Sequence, residues 1–140
     1  MNQKRIAVLQ GLAILTAIVY AGFRLRGQEW TWMSALGLAL SIPAIAAWIV
    51  ARMQLGSSFS VAAKAKKLVT HGIYSKIRNP IYVFGTIFIL GFILLVHKLT
   101  WLLLLLVIVP MQIIRARKEA RVLEHKFGDE YREYRGKTWF

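Results

Sequence analysis

Cysteine is absent from the 140 residues, which excludes disulfides, thiolate metal sites and thiol nucleophiles. Acidic residues are scarce: six Asp and Glu stand against 19 Lys and Arg, for a formal charge of +13. The three histidines, His71, His97 and His125, lack ligand spacing, so no metal site is expected. Nothing reads as a strand followed by a glycine-rich turn, and nucleotide binding by that device is excluded. No serine has an adjacent base and orienting acid; a Ser75–His71 pairing has no further support. What is abundant is apolar surface. The chain is 57% hydrophobic with a positive mean hydropathy, more than an ordinary soluble domain of this size carries. Basic charge on so apolar a chain points to an anionic membrane leaflet and away from nucleic acid, which calls for exposed aromatics on a soluble basic face. The length allows one domain, 1–140.

Four apolar runs divide the chain, at about 6–23, 32–51, 81–96 and 99–114, and predict an all-α integral membrane fold with four transmembrane helices. The first is too long, and too poorly followed by small residues, for a cleaved signal peptide. Trp30 and Trp32 stand where interfacial aromatics anchor the second span. Pro43 is expected to kink that span, while Gly37, Ala39, Ser41 and Ala44 offer a small-residue packing face. Gly56, Ser57 and Ser58 end it. The connection 52–80 follows, and its part from Phe59 to Leu68 either lies along the headgroups or is a solvated loop. The last two runs are separated only by His97 and Lys98, which forces an antiparallel hairpin of neighbouring helices, both extending past the lipid away from the turn. His97 reads as an interfacial turn residue and Pro110 as a bend. The tail 115–140 is expected to be helical, with Gly128 as a stop and Asp129 as N-cap of a short last helix ending near Tyr134. Basic residues number two at the N-terminus, six in 52–80 and eight in the tail, against Arg24, Arg26 and Lys98 elsewhere. The excess of positive charge then puts both termini and the long connection in the cytoplasm.

The stretch 68–82 is polar and turn-rich and leads straight into an apolar run. His71, Gly72, Tyr74, Arg78, Asn79, Pro80 and Tyr82 fall in it, and the hairpin brings it toward Arg115 and Glu119. A basic, aromatic pocket at a membrane interface suits a polar zwitterion meeting a lipid-borne molecule. Arg78 or Arg115 can pair a carboxylate in two-pronged fashion, Tyr74 and Tyr82 can face a cation, and Glu119 can hold an amine or a hydroxyl. The plainer account is juxtamembrane charge with an Arg115–Glu119 pair one helical turn apart.

The order Leu68-Val69-x-x-Gly72-x-Tyr74-x-x-x-Arg78-x-Pro80-x-Tyr82, then Arg115, then Glu119-x-x-x-Leu123-x-x-x-Phe127-Gly128-x-x-Tyr131-x-x-Tyr134, resembles the isoprenylcysteine carboxyl methyltransferase family and the related small phospholipid N-methyltransferases. The match covers about 56–135, over half the chain. The resemblance implies an integral-membrane enzyme that takes S-adenosylmethionine at its cytosolic side, between the last hairpin and the C-terminal segment. A lipid-like or hydrophobic substrate would enter from the bilayer. By position it implies His71, Gly72, Tyr74, Arg78, Asn79, Pro80, Tyr82 and Glu119 for the cofactor, with Arg115, Glu119 and Asn79 at the chemistry. A homo-oligomer in a bacterial or archaeal inner membrane is the matching expectation for assembly and location.

Two positions depart from the family. Asn79 stands where the family usually has His, and Asn cannot exchange a proton near neutral pH. Ala120 stands where a second Glu is common. An amine acceptor must lose a proton and a carboxylate need not, so the departures favour an isoprenylcysteine-type carboxylate over a phospholipid amine. Two other readings share the pattern: an NADPH-dependent, sterol-reductase-like membrane enzyme, and a non-catalytic protein of the same fold.

Overall fold

The computed structural model describes residues 3–27, 29–56 and 68–140, with side chains from Leu12 onward except Ile14. The part of the long connection from Phe59 to Lys67 lies outside them. The described residues form four α-helices: α1 (Gln3–Leu25), α2 (Trp32–Leu55), α3 (Pro80–Leu95) and α4 (Leu105–Lys137). A 3-10 turn at Gly72–Ser75 precedes α3, and another at Leu99–Leu104 opens α4. Among the described residues there is no strand, only a single parallel bridge between Ile77 and Trp139. Two helical stretches are long and apolar enough to cross a bilayer by themselves, Trp32–Leu55 and Leu99–Lys137; Leu15–Leu25 and Pro80–Leu95 are shorter apolar segments.

The helix limits follow local chemistry. α2 starts after Thr31, where a reciprocal capping box joins Thr31 and Ser34. It continues through Arg52 and Gln54, both good helix formers, one turn beyond the apolar run, and turns only at Gly56 with φ +47°. α3 begins at Pro80, whose fixed φ and missing N–H suit the first helical turn. The hairpin argument anticipated that both helices extend past the lipid; α3 does not, because Pro80 opens it at the start of its apolar run, and only α4 runs on. α4 runs on through the charged tail, broken at Gly128 (φ +51°, ψ −120°). The residue that breaks it is Gly128 itself, so Asp129 opens the new helix; its carboxylate accepts a hydrogen bond from Arg132 at 3.1 Å. Arg132 also reaches Glu124 at 3.0 Å and so spans the break. The last helix ends at Lys137, three residues beyond the expected Tyr134.

α2 and α3 are the closest pair. Their crossing is built on glycine: a Cβ at Gly37 would lie 2.5 Å from the backbone N of Leu95, and one at Gly91 would lie 2.5 Å from Ser41 Oγ and 2.8 Å from the Gly37 carbonyl. Ser34, Gly37, Ser41 and Ala44 are buried along this face, one or two turns apart. Ala39 does not belong to it and is exposed. At about 100° per residue it points away from both Gly37 and Ser41. α1 joins near its C-terminal end, where Ala21 packs with Leu95 and Val96 and Tyr20 stacks on Trp101. Leu103, Leu106, Val107 and Met111 leave a bare apolar side on α4, as lipid would permit.

Candidate functional site

The hairpin of α3 and α4 carries two polar bridges. Thr86 Oγ1 donates to Gln112 Oε1 at 2.8 Å, and Tyr82 Oη donates to Glu119 Oε1 at 2.7 Å. The spacing explains them. Tyr82 and Thr86 lie one turn apart on α3; Gln112, Arg115 and Glu119 lie at steps of three and four on α4, so both sets face across an antiparallel pair. Arg115 sits with its guanidinium 5.8 Å from the Tyr82 ring centroid and 3.8 Å from Glu119. Tyr82, Arg115 and Glu119 thus form one cluster just past the apolar run, which ends at Ile114. Burial pushes the Glu119 carboxyl above its ordinary value, against the opposing effects of the Tyr82 hydrogen bond and the Arg115 charge.

The segment before α3 closes over this cluster from the side of α2 and the tail. Tyr74 is 6% exposed and packs with Ala51 and Val69. Its carbonyl accepts a 2.7 Å hydrogen bond from the Tyr134 hydroxyl, a buried contact across 60 residues of chain. Its own hydroxyl is buried and has no hydrogen-bond partner among the described residues. Burial drives the Tyr74 hydroxyl well above the ordinary phenol range; Tyr134 and Glu119 add to this and Arg52 opposes it. Tyr134 is pushed up to about 12, first by burial and then by Tyr131, with Arg78 opposing. The Arg78 charge likewise opposes the burial-driven rise at Tyr131, whose ring centroid lies 6.2 Å from that of Tyr134.

The backbone around Arg78 and Asn79 is held by the end of the chain. Arg78 N donates to the Trp139 carbonyl at 3.2 Å, Asn79 N to the Phe140 carbonyl at 3.0 Å, and Trp139 N to the Lys76 carbonyl at 3.0 Å. Asn79 is the N-cap of α3, and its carbonyl accepts from Tyr82 N and Val83 N; its side chain makes no capping bond. Pro80 is fully buried behind it. Gly72 has φ +62°, where a side chain is strained, and lies against the Gln54 amide, which an added Cβ would have to displace. Gln54 Oε1 in turn accepts from Ile73 N at 2.9 Å and ties the 3-10 turn to α2. His71 is exposed, and among the described residues its ring has no hydrogen-bond partner.

The comparisons with known proteins fit this arrangement. A family model described as phospholipid methyltransferase matches residues 30–130, which takes in α2, the turn segment, the hairpin and the break at Gly128. The chain belongs to the phospholipid methyltransferase family. Protein-S-isoprenylcysteine O-methyltransferase of Schizosaccharomyces pombe is 42% identical to this methyltransferase-family chain over 94 residues. That alignment takes in 63% of the chain but 40% of the yeast protein, so the chain spans well under half the length of the relative. The relative is a fission-yeast protein and gives no support to a bacterial or archaeal source. No solved structure matches.

Among the residues singled out in the sequence, Tyr82, Arg115 and Glu119 meet directly; Tyr74 is near enough to Glu119 to feel its charge, and Arg78 is joined through its backbone to Trp139. Gly72, Asn79 and Pro80 act through the backbone. His71 stays outside the cluster. Sequence reasoning missed Gln54, Arg52, Gln112 and the Trp139–Phe140 segment. Gln112 had a legible signal, a lone amide in an apolar run, which a membrane helix keeps only with a partner.

Proposed function

We propose that this chain is a membrane methyltransferase that takes S-adenosylmethionine at the mouth of the α3–α4 hairpin and methylates a lipid-like acceptor from the bilayer. Family membership supports the reaction class. The observation that carries the site is the Tyr82–Glu119–Arg115 cluster at the polar end of two apolar helices. In the proposed topology all four apolar segments cross the membrane as one domain, with both termini and the site on the cytoplasmic side.

The residues present fit a polar, zwitterionic methyl donor. Tyr74 keeps a hydroxyl buried without a partner, an arrangement that costs about 1–3 kcal/mol and that a bound polar group would relieve. Bound there, S-adenosylmethionine supplies a methyl on a sulfonium, a good leaving group. The chain's own residues then bind, orient and exclude water. Glu119, held by Tyr82, accepts from an amine or hydroxyl of the donor, and Arg78 pairs its carboxylate. Tyr74, Gly72 and Pro80 close the wall, and His71 stands at the rim. Arg115 is half exposed beside Glu119 and faces the acceptor, whose carboxylate it would hold. Asn79 hydrogen-bonds without taking up a proton, which favours a carboxylate acceptor of the isoprenylcysteine type over a phospholipid amine. With no base required, positioning and dryness carry the rate.

Calorimetry of the detergent-solubilised chain tests this. S-adenosylmethionine should bind in the micromolar range and NADPH should not. Arg78→Ala and Glu119→Ala should weaken binding at least about tenfold, the loss expected for a charge-assisted bond. Lys118→Ala, an exposed cation on the same helix, should not. Binding of neither ligand would leave a non-catalytic protein of the same fold. Equal affinity in all three variants would remove this pocket.

A further inference from the structure

The end of the bundle opposite the Tyr82–Glu119 pair holds a second basic site. α1 arrives there beside the C-terminal end of α3, some 13 residues or about 20 Å along that helix from Tyr82. Past this contact, Phe23, Arg24, Arg26 and Gly27 line an open cavity of about 500 Å³. The Arg24 Nε is buried and has no hydrogen-bond partner among the described residues. Among the described residues neither Arg24 nor Arg26 pairs with a carboxylate, although Glu29 follows closely in the chain. Lys98 adds positive charge at the same end. Phe23 is 77% exposed and gives the cavity an apolar wall beside its two guanidinium groups. Tyr20, Trp30, Trp32 and Trp101 surround this end with the aromatics that settle at headgroup depth.

A buried guanidinium N–H without an acceptor is costly, and two arginines that line one cavity with no described carboxylate between them repel. A planar fork matches a phosphate oxygen pair, and an apolar wall at headgroup depth matches the start of an acyl chain. We propose that this cavity binds an anionic phospholipid, with Arg24 and Arg26 holding the phosphodiester and Phe23 lying against the chain. The site is independent of the methyltransferase reading, since it occupies the other end of the bundle.

The test uses the full chain in neutral detergent, read by native mass spectrometry and by a thermal scan. Phosphatidylglycerol should remain bound and raise the melting temperature. Phosphatidylcholine, whose choline offsets the charge, should do so much less. Each arginine near a charged headgroup accounts for about a fivefold gain in binding, so R24Q/R26Q should weaken phosphatidylglycerol retention at least about tenfold. Lys98→Gln should change it less than about threefold. If the double variant does not fold, R26Q alone, at an exposed position, should show about a fivefold loss. Equal retention of phosphatidylcholine, unchanged retention by the variants, or equal protection by inorganic phosphate alone would each overturn the proposal.

Discussion

Gly91 offers the sharpest test of the helix arrangement, because three glycines of the same chain meet different surroundings. A Cβ added at Gly91 would lie 2.5 Å from Ser41 Oγ, 2.8 Å from the Gly37 carbonyl and 2.9 Å from Ser41 N. Two of those atoms are backbone, so the α2–α3 crossing must open by about half an ångström to reach ordinary contact. Overpacking of this kind costs about 1–3 kcal/mol. Alanine also removes the propensity penalty of a mid-helix glycine, a gain of about 1 kcal/mol. Gly91→Ala should therefore destabilise by up to about 2 kcal/mol. At Gly85 the new Cβ meets only Trp48 ring atoms, at 3.8 Å, and at Gly22 it meets nothing within 4 Å. Gly85→Ala and Gly22→Ala should thus be neutral to stabilising by up to about 1 kcal/mol. Thermal unfolding in one detergent, followed by helical circular dichroism, ranks the three. If Gly91→Ala melts with or above Gly22→Ala, the close α2–α3 crossing is wrong.

Two further outcomes follow from polar contacts at opposite ends of the bundle. Burial raises the Glu119 carboxyl in the free protein, so the group by itself favours the fold at acid pH and that contribution falls as pH rises through its titration. A cationic ligand beside it prefers the carboxylate, so donor affinity should fall as pH drops from about 8 to about 5. Glu119→Gln should flatten that dependence in calorimetry, and an unchanged slope would place the ligand elsewhere. His97 Nε2 lies 3.0 Å from both Thr31 Oγ1 and the fully buried Ser34 Oγ, and His97 has φ +53°. His97→Ala leaves the Ser34 hydroxyl only its long 3.5 Å contact from Thr31 N and should lower stability by about 1–3 kcal/mol; His97→Asn, which tolerates the left-handed region, should recover part of it in the same thermal scan.

Much of the fold was legible because apolar runs and their interruptions are one-dimensional signals. The runs marked the helices, Gly56 and Gly128 marked the turns, and the two-residue gap at His97-Lys98 required the hairpin. Its face followed from spacing, which is why Tyr82 and Glu119 could be expected to meet. Ala39 was misplaced because small size alone does not define a face, whereas the steps from Gly37 to Ser41 to Ala44 do. Gln54 was missed because its partner is the backbone of Ile73, and a backbone acceptor or donor leaves no trace in residue type. The pairing of Trp139 with Lys76 and Arg78 was hidden for the same reason. His97 was read as a turn residue, but its bond to Ser34 across 63 residues belongs to the tertiary packing.

The bridges across the hairpin explain why the chemistry collects at one end. In a bilayer an unpaired polar side chain is expensive, so each one kept in an apolar helix must find a partner or do a task. Thr86 and Gln112 satisfy each other and fix the register of α3 against α4. That register sets Tyr82, one turn along α3 from Thr86, opposite Glu119, two turns along α4 from Gln112. The tail helix adds Tyr134, whose hydroxyl is spent on the Tyr74 carbonyl, and the chain's end adds the backbone of Trp139 and Phe140 under Arg78 and Asn79. Each of these groups has a partner within the chain. The Tyr74 hydroxyl has none among the described residues, although Arg52, Glu119 and Tyr134 all lie near enough to shift its ionisation. If that vacancy serves a ligand, Tyr74→Phe should leave the fold as stable or more so, because it removes an orphaned group, while weakening S-adenosylmethionine about tenfold. A variant that binds as well as the parent, measured by the same calorimetry, would show that the hydroxyl faces no donor.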